Sequence, residues 1–232
     1  MKVLIFDTST DYLYVRFYDD EKKITFYEKE MISHNNHSEN LLSTIEEGLN
    51  ETGLELASFN KIIIGMGPGS YTGLRISMVV GKMASYTLNI PLYTISSLSL
   101  CGSGYFGKNG VYAIRIKAKK DYSYLKIVSV KDNQVETLVD DSYMTDEDAK
   151  ELVQKYSGMF ISEGMYKLDV EEIIKEAVLV GNVHELVPNY LRKANSWDIR
   201  LDKWKSMTLI MLSKVKIKYL VTPLVLICYT LN

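Results

Sequence analysis

The chain has 232 residues, 47% of them hydrophobic, and a formal charge of −2 at neutral pH. That length holds one large or two small domains with an ample core, and the near-neutral charge excludes the global attraction by which basic proteins grip nucleic acid unaided. Two cysteines, Cys101 and Cys228, exclude a disulfide framework and suit a reducing compartment; with no basic leader and no apolar signal core at the N-terminus, the expectation is a cytoplasmic protein.

In chain order, Lys2 to Phe6 predicts a buried strand that closes on Asp7-Thr8-Ser9-Thr10. Tyr12 to Tyr18 and Ile24 to Glu30 predict two more strands, joined by the turn Asp19-Asp20-Glu21-Lys22-Lys23. An amphipathic helix follows from about Ser38 to Asn50, with Leu41, Leu42, Ile45 and Leu49 on one face. Lys61 to Ile64 then reads as a strand and Leu74 to Leu88 as a helix, which completes a β-β-β-α-β-α unit.

Between that last strand and helix lies Gly65-Met66-Gly67-Pro68-Gly69-Ser70-Tyr71-Thr72-Gly73-Leu74-Arg75. A glycine-rich turn at a helix N-terminus offers backbone N–H groups to an anion, so Gly67, Gly69, Ser70, Thr72 and Gly73 are candidate phosphate contacts. Neither G-x-x-x-x-G-K-[ST] nor G-x-G-x-x-G fits the string, and Gly-Pro-Gly also makes ordinary tight turns. Both readings stay open on spacing alone.

The second half repeats the element order with little shared sequence. Val111 to Ile116, Tyr124 to Val130 and Gln134 to Val139 predict strands, with Lys131-Asp132-Asn133 as a turn. Thr145 reads as the N-cap of a helix reaching Tyr156, supported by Asp146, Glu147 and Asp148 in its first turn. Met159 to Ser162 is a further strand and Asp169 to Ala177 a further helix. Two such units build the actin-like ATPase and sugar-kinase architecture, an α/β, ribonuclease H-like (ASKHA) fold. The expected organisation is a first subdomain over residues 1–102, a second over 103–195, and an apolar tail of uncertain role over 196–232. The tail's uninterrupted apolar part, Tyr219 to Leu231, is shorter than the ~20 residues a membrane span requires.

The string Gly-Pro-Gly-Ser-Tyr-Thr-Gly-Leu-Arg-Ile, with Phe6-Asp7-Thr8-Ser9, closely resembles the TsaB (YeaZ) family, partner subunits of the bacterial machinery that installs threonylcarbamoyl on adenosine 37 of tRNA. Further matches are His37-Ser38-Glu39-Asn40-Leu41-Leu42, Ile95-Ser96-Ser97-Leu98 and Pro188-Asn189-Tyr190-Leu191-Arg192, so the resemblance spans roughly residues 1 to 195. It implies the actin-like fold, a catalytic paralogue of the TsaD type and an ATPase of the TsaE type as partners, a homodimer when alone, contact with tRNA only through a partner, and no membrane.

In actin-like ATPases a strand-end Asp works on the nucleotide phosphates through a metal, and Asp7, Thr8 and Ser9 occupy that place here. They equally suit an Asx-type turn that satisfies backbone groups. The equivalent second turn is expected at Lys117-Ala118-Lys119-Lys120-Asp121, where Lys117 replaces the family's acidic residue; an ammonium binds phosphate but no cation, which puts a two-sided Mg-nucleotide site in doubt. ATP or ADP with Mg at an interface with partners is what remains of the cofactor expectation. Arg75, read as lying in the first helical turn, calls for an anion: a phosphate, a carboxylate across an interface, or Asp7 of the same chain.

The catalytic paralogue carries two metal-binding histidines four apart on a helix, and Thr94-Ile95-Ser96-Ser97-Leu98 has none there. The histidines are His34, His37 and His184, with His34 and His37 read as surface or capping residues. No metal site and no catalytic residue is therefore expected. Ser77, Gly81 and Ser85 form a small face that lets another helix approach, and Gly48 offers a second close-approach point. Family members are understood to dimerise through the segments 38–50 and 73–87, so Leu41, Ile45, Gly48, Ser77, Gly81 and Ser85 are the expected partner surface. The expectation is an accessory, non-catalytic subunit; the alternatives are an independent ATPase or small-molecule kinase of the actin-like fold and, less in keeping with the histidines, a metallopeptidase.

Overall fold

The structure is a computed structural model that describes residues 1–32 and 37–192. The readings of His34 and of the 196–232 tail lie outside the described residues, as does the side chain of His37. Met1–Lys193 forms one unit by its internal contacts.

Its first sheet begins with β1 (Lys2–Asp7), β2 (Tyr12–Asp19) and β3 (Ile24–Ile32). Helix α1 (His37–Thr52) leads to β4 (Lys61–Gly65), and α2 (Tyr71–Leu88) to β5 (Leu92–Ile95). Then α3 (Ser97–Gly102) opens the second sheet: β6 (Gly110–Lys119), β7 (Tyr122–Lys131) and β8 (Gln134–Thr145), followed by α4 (Asp146–Lys155) and β9 (Met159–Ile161). The last elements are α5 (Val170–Glu176) and β10 (Val178–Leu179).

Strand order is β10-β5-β4-β1-β2-β3 in one sheet and β8-β7-β6-β9 in the other. Each half thus lays its third, second, first and fourth strands side by side, with the fourth parallel to the first. This is the duplicated α/β arrangement expected from the element order. The strand β5, the helix α3 and the two-residue β10 were not expected; β10 belongs to the second half in sequence but pairs antiparallel with β5 of the first sheet, Val178 opposite Thr94.

Registers decide which residues face which layer. Leu4 stands opposite both Phe17 and Ile62, and Ile62 opposite Leu92, so these four share one face. Helices α1 and α2 cover it: a Cβ on Gly48 would stand 2.7 Å from Tyr27 and 2.8 Å from Phe17, and one on Gly81 would meet Ile64 at 3.0 Å and Leu92 at 3.3 Å. The opposite face carries Val3, Ile5, Tyr14, Ile63 and Ile95, buried beneath Leu100 of α3 and Val170 and Ile173 of α5. Helix α3 is shared, because Leu98 and Cys101 pack with Ile114, Ile116 and Tyr124 of the second sheet. That sheet's other face, Ala113, Leu125 and Ile127, takes Ala149 of α4.

Two boundaries shift the sequence reading. Strand β6 continues through Lys119, so the second turn is Lys120–Asp121, with Asp121 at φ 63°, and Lys117 is an exposed strand residue, not a turn residue. Helix α2 starts at Tyr71, three residues before the apolar period, because Ser70 caps it by accepting from the Gly73 N–H. Arg75 is therefore past the first turn, where the dipole argument no longer applies.

Candidate functional site

Three of the sequence motifs converge where β1, β4 and α2 meet. At the end of β1, Asp7 closes an Asx turn: its Oδ1 accepts from the Ser9 N–H at 2.7 Å and its Oδ2 from the Ser9 hydroxyl at 2.9 Å. The Thr8 hydroxyl lies 2.5 Å from that of Ser77 and 2.8 Å from the Gly73 carbonyl, to which it donates. Asp7, Thr8 and Ser9 are all buried. Of the two readings of this motif, the turn is what the geometry realises: the Thr8 and Ser9 hydroxyls bond inside the fold, and each Asp7 carboxylate oxygen accepts once from Ser9.

The glycines explain themselves by the same packing. A Cβ on Gly65 would collide with the Asp7 carboxylate, one on Gly69 with the Ser9 carbonyl, and one on Gly73 with the Thr8 carbonyl. Only a chain without side chains lets the loop lie this close to the β1 end. Gly67 has φ 102°, in the left-handed region, and its N–H donates to the Ser97 hydroxyl while its carbonyl accepts from the Ser97 N–H. Ser70 and Thr72 remain exposed on the outer side of the loop.

Burial sets the electrostatics. Desolvation pushes the Asp7 carboxyl above its ordinary value, against the opposing pull of hydrogen bonds from Ser9, Ser97 and Thr8. The Nε of Arg75 donates to the Tyr190 hydroxyl at 3.0 Å, and its guanidinium lies 4.1 Å from the Tyr71 ring centroid. Tyr71 and Tyr190 pack at 4.9 Å, and the Asn189 N–H donates to the Met66 carbonyl at 2.8 Å. The Pro188–Arg192 motif thus folds back onto the glycine loop, and Lys82 extends the strap by donating to the His184 and Leu186 carbonyls.

The six residues expected at a partner surface face the other way. Leu41 and Ile45 are buried, Gly48 abuts Tyr27 and Phe17, and Ser77, Gly81 and Ser85 are buried with Gly81 against Ile64 and Leu92. The small spacing serves close approach of α2 to the chain's own sheet. Exposed on α1 are Ser43, Glu46, Asn50 and Glu51, and on α2 Thr72, Tyr86 and Thr87, with Tyr86 54% exposed and its ring edge to face on His184.

Sequence reasoning missed Ser97, Asn189, Tyr190 and Lys82 as parts of this assembly. The signal for Asn189 and Tyr190 lay in the Pro-Asn-Tyr-Leu-Arg string; Lys82 had none, because its partners are backbone carbonyls. Among the described residues no group of three or more His, Cys, Asp or Glu side chains is placed to hold a metal ion, and no helix is long and apolar enough to cross a membrane.

The family model TsaD, tRNA N6-adenosine threonylcarbamoyltransferase, matches residues 30–193, well over half the chain. The chain belongs to the TsaD family. Its relatives include TsaB proteins: the tRNA threonylcarbamoyladenosine biosynthesis protein TsaB of Bacillus subtilis is 24% identical over 84% of this chain and 96% of its own length. The TsaB of Buchnera aphidicola (subsp. Schizaphis graminum) is 27% identical over 84% of this chain and 94% of its own. Among solved structures, YeaZ from Pseudomonas aeruginosa shares the fold, with a TM-score of 0.65 at 18% identity over 82% of this chain and 99% of that one. The resemblance to TsaB (YeaZ) and the actin-like fold both hold.

Proposed function

We propose that the chain is a non-catalytic, dimerising subunit of the tRNA threonylcarbamoyladenosine machinery, binding and supporting a TsaD-type catalytic paralogue alongside a TsaE-type ATPase. The observation that carries this reading is the near end-to-end match to proteins named for that biosynthesis. The Asx turn closed by Asp7, with the Thr8 and Ser9 hydroxyls bonded inside the fold, supports it, since the strand end is built as a turn. Partner contact is assigned to the outward faces of α1 and α2, which touch each other and share one side of the first sheet. Two copies of the chain meet on the same faces when the paralogue is lacking, and tRNA is reached through the paralogue.

Size-exclusion chromatography with light scattering tests this, using the full chain with and without the paralogue from the same organism. The expected result is a 1:1 heterodimer formed at the expense of the homodimer. Separate elution of the two proteins at micromolar concentration overturns the reading, and retention of labelled ATP by the chain alone moves it to an independent nucleotide-dependent enzyme.

A further inference from the structure

A cavity of about 140 Å³ opens beside the β1 end, on the sheet face covered by α3. Its polar wall is Asp7 and Tyr14, with Glu30 exposed at the rim; Tyr12 and Tyr166 meet edge to face at 6.2 Å along another side, and Leu100, Cys101 and Leu168 give it apolar side chains. Tyr14 is 4% exposed, and its hydroxyl has no hydrogen-bond partner among the described residues. Burying an unsatisfied hydroxyl is costly, and such groups in native folds call for an explanation.

The charge balance is one-sided. Asp7 and Glu30 line the cavity and, among the described residues, no Lys or Arg does. The neighbouring cation, Arg16, lies 5.4 Å from the Tyr14 ring centroid and is paired with Glu28. Cys101, a lining residue, registers the field: desolvation first, then the Asp7 and Glu30 charges, push its thiol well above the ordinary value. Aromatic rings and carboxylates around a small apolar floor are the surroundings in which a compact cation is held.

We propose that this cavity binds a small primary ammonium cation, its nitrogen donating to the Tyr14 hydroxyl oxygen and to the carboxylates of Asp7 and Glu30, its alkyl part lying on Leu100 and Leu168. The volume fits a ligand of this size, being close to that of an apolar protein cavity that takes benzene, about 150 Å³. Phosphates and nucleotides are disfavoured by the same carboxylates. The inference stands apart from the proposed role in tRNA modification, and its test uses no paralogue, so the two fail separately.

The test is isothermal titration calorimetry of the full chain with ethylammonium chloride, against sodium chloride at equal ionic strength. For a cation of three heavy atoms, the ceiling on affinity per atom sets a dissociation constant of about 0.5 mM or weaker. Saturable binding in that range is expected, weakened about tenfold in Tyr14→Phe, which removes a hydrogen bond to a charge. Glu30→Gln is expected to weaken it as well; because Glu30 is exposed, this variant keeps the test decisive if Tyr14→Phe fails to fold. No saturable binding, undiminished binding in the folded variants, equal binding of neutral ethanol, or equal binding of potassium each overturns the proposal.

Discussion

The Thr8 hydroxyl donates to the Gly73 carbonyl at 2.8 Å while the Thr8 carbonyl lies against the Gly73 Cα, so one residue pins the first turn of α2 from two directions. No side chain at position 73 fits without moving backbone. Gly73→Ala is expected to destabilise the chain by about 1–3 kcal/mol, a fall in melting temperature of about 2–12 °C. Gly107→Ala, where a Cβ meets nothing within 4 Å, is the control and is expected to melt with the wild type. Thermal unfolding of both checks this; equal melting of all three refutes it.

Asp7 gives stability a pH dependence whose sign follows from its burial. Its folded-state pKa is raised above the ordinary 3.8, so the folded chain holds that proton more tightly than the unfolded chain. The resulting stability is complete below 3.8 and is lost as pH rises through the folded pKa. Urea unfolding from about pH 4 to about pH 8 is expected to show the wild type losing stability relative to Asp7→Asn. Asp146 runs oppositely: its pKa is lowered, chiefly by the Ser123 hydroxyl and also by Arg115, so its contribution is present above 3.8 and lost as pH falls. Being common to both proteins, it cancels in the comparison.

The strap over α2 is held by Tyr190. Tyr190→Phe removes the hydrogen bond to Arg75 but keeps the ring on Tyr71, and is expected to cost about 0.5–1.5 kcal/mol. Tyr190→Ala removes both. Hydrogen exchange is the measurement: amides of 184–192 are expected to exchange faster in Tyr190→Ala than in Tyr190→Phe, with the β6–β7 ladder unchanged. Identical protection in the two variants would assign the hold to Lys82 and Asn189 alone.

Substitutions on the two sides of α2 are expected to separate folding from assembly. Gly81→Leu drives a side chain into Ile64 and Leu92 and is expected to lower stability by about 1–3 kcal/mol whether or not a partner is present. Glu46→Arg with Thr87→Arg changes only exposed positions on the outward faces and is expected to leave melting unaltered within about 0.5 kcal/mol, while abolishing the co-elution with the paralogue. Retained co-elution by a folded double variant would move the partner surface elsewhere.

Most strands were legible because period and composition report burial directly: Ile62 to Ile64 is apolar throughout and is buried on both faces of its sheet. What stayed hidden was position in three dimensions. Leu41, Ile45 and the Ser77-Gly81-Ser85 stripe have the spacing of an interface and of a core helix alike, and nothing local tells which side carries the sheet. Asp7-Thr8-Ser9 was ambiguous for a similar reason: a carboxylate followed by hydroxyls satisfies a turn or a ligand with the same atoms. Strand β10, two residues long and exposed, carries no periodicity at all; its existence depends on the open edge of β5, far away in sequence.

That late pairing has a consequence for synthesis. The β5 edge and the glycine loop exist once residue 95 has left the ribosome, but their partners at Val178 and Asn189 are still unmade. At about 5–20 residues per second, the nascent first half waits roughly 4–20 s with an unpaired strand edge and a bare flank on α2. During that interval it offers a site for strand addition by another chain, and closure comes only when the last described residues of the polypeptide emerge.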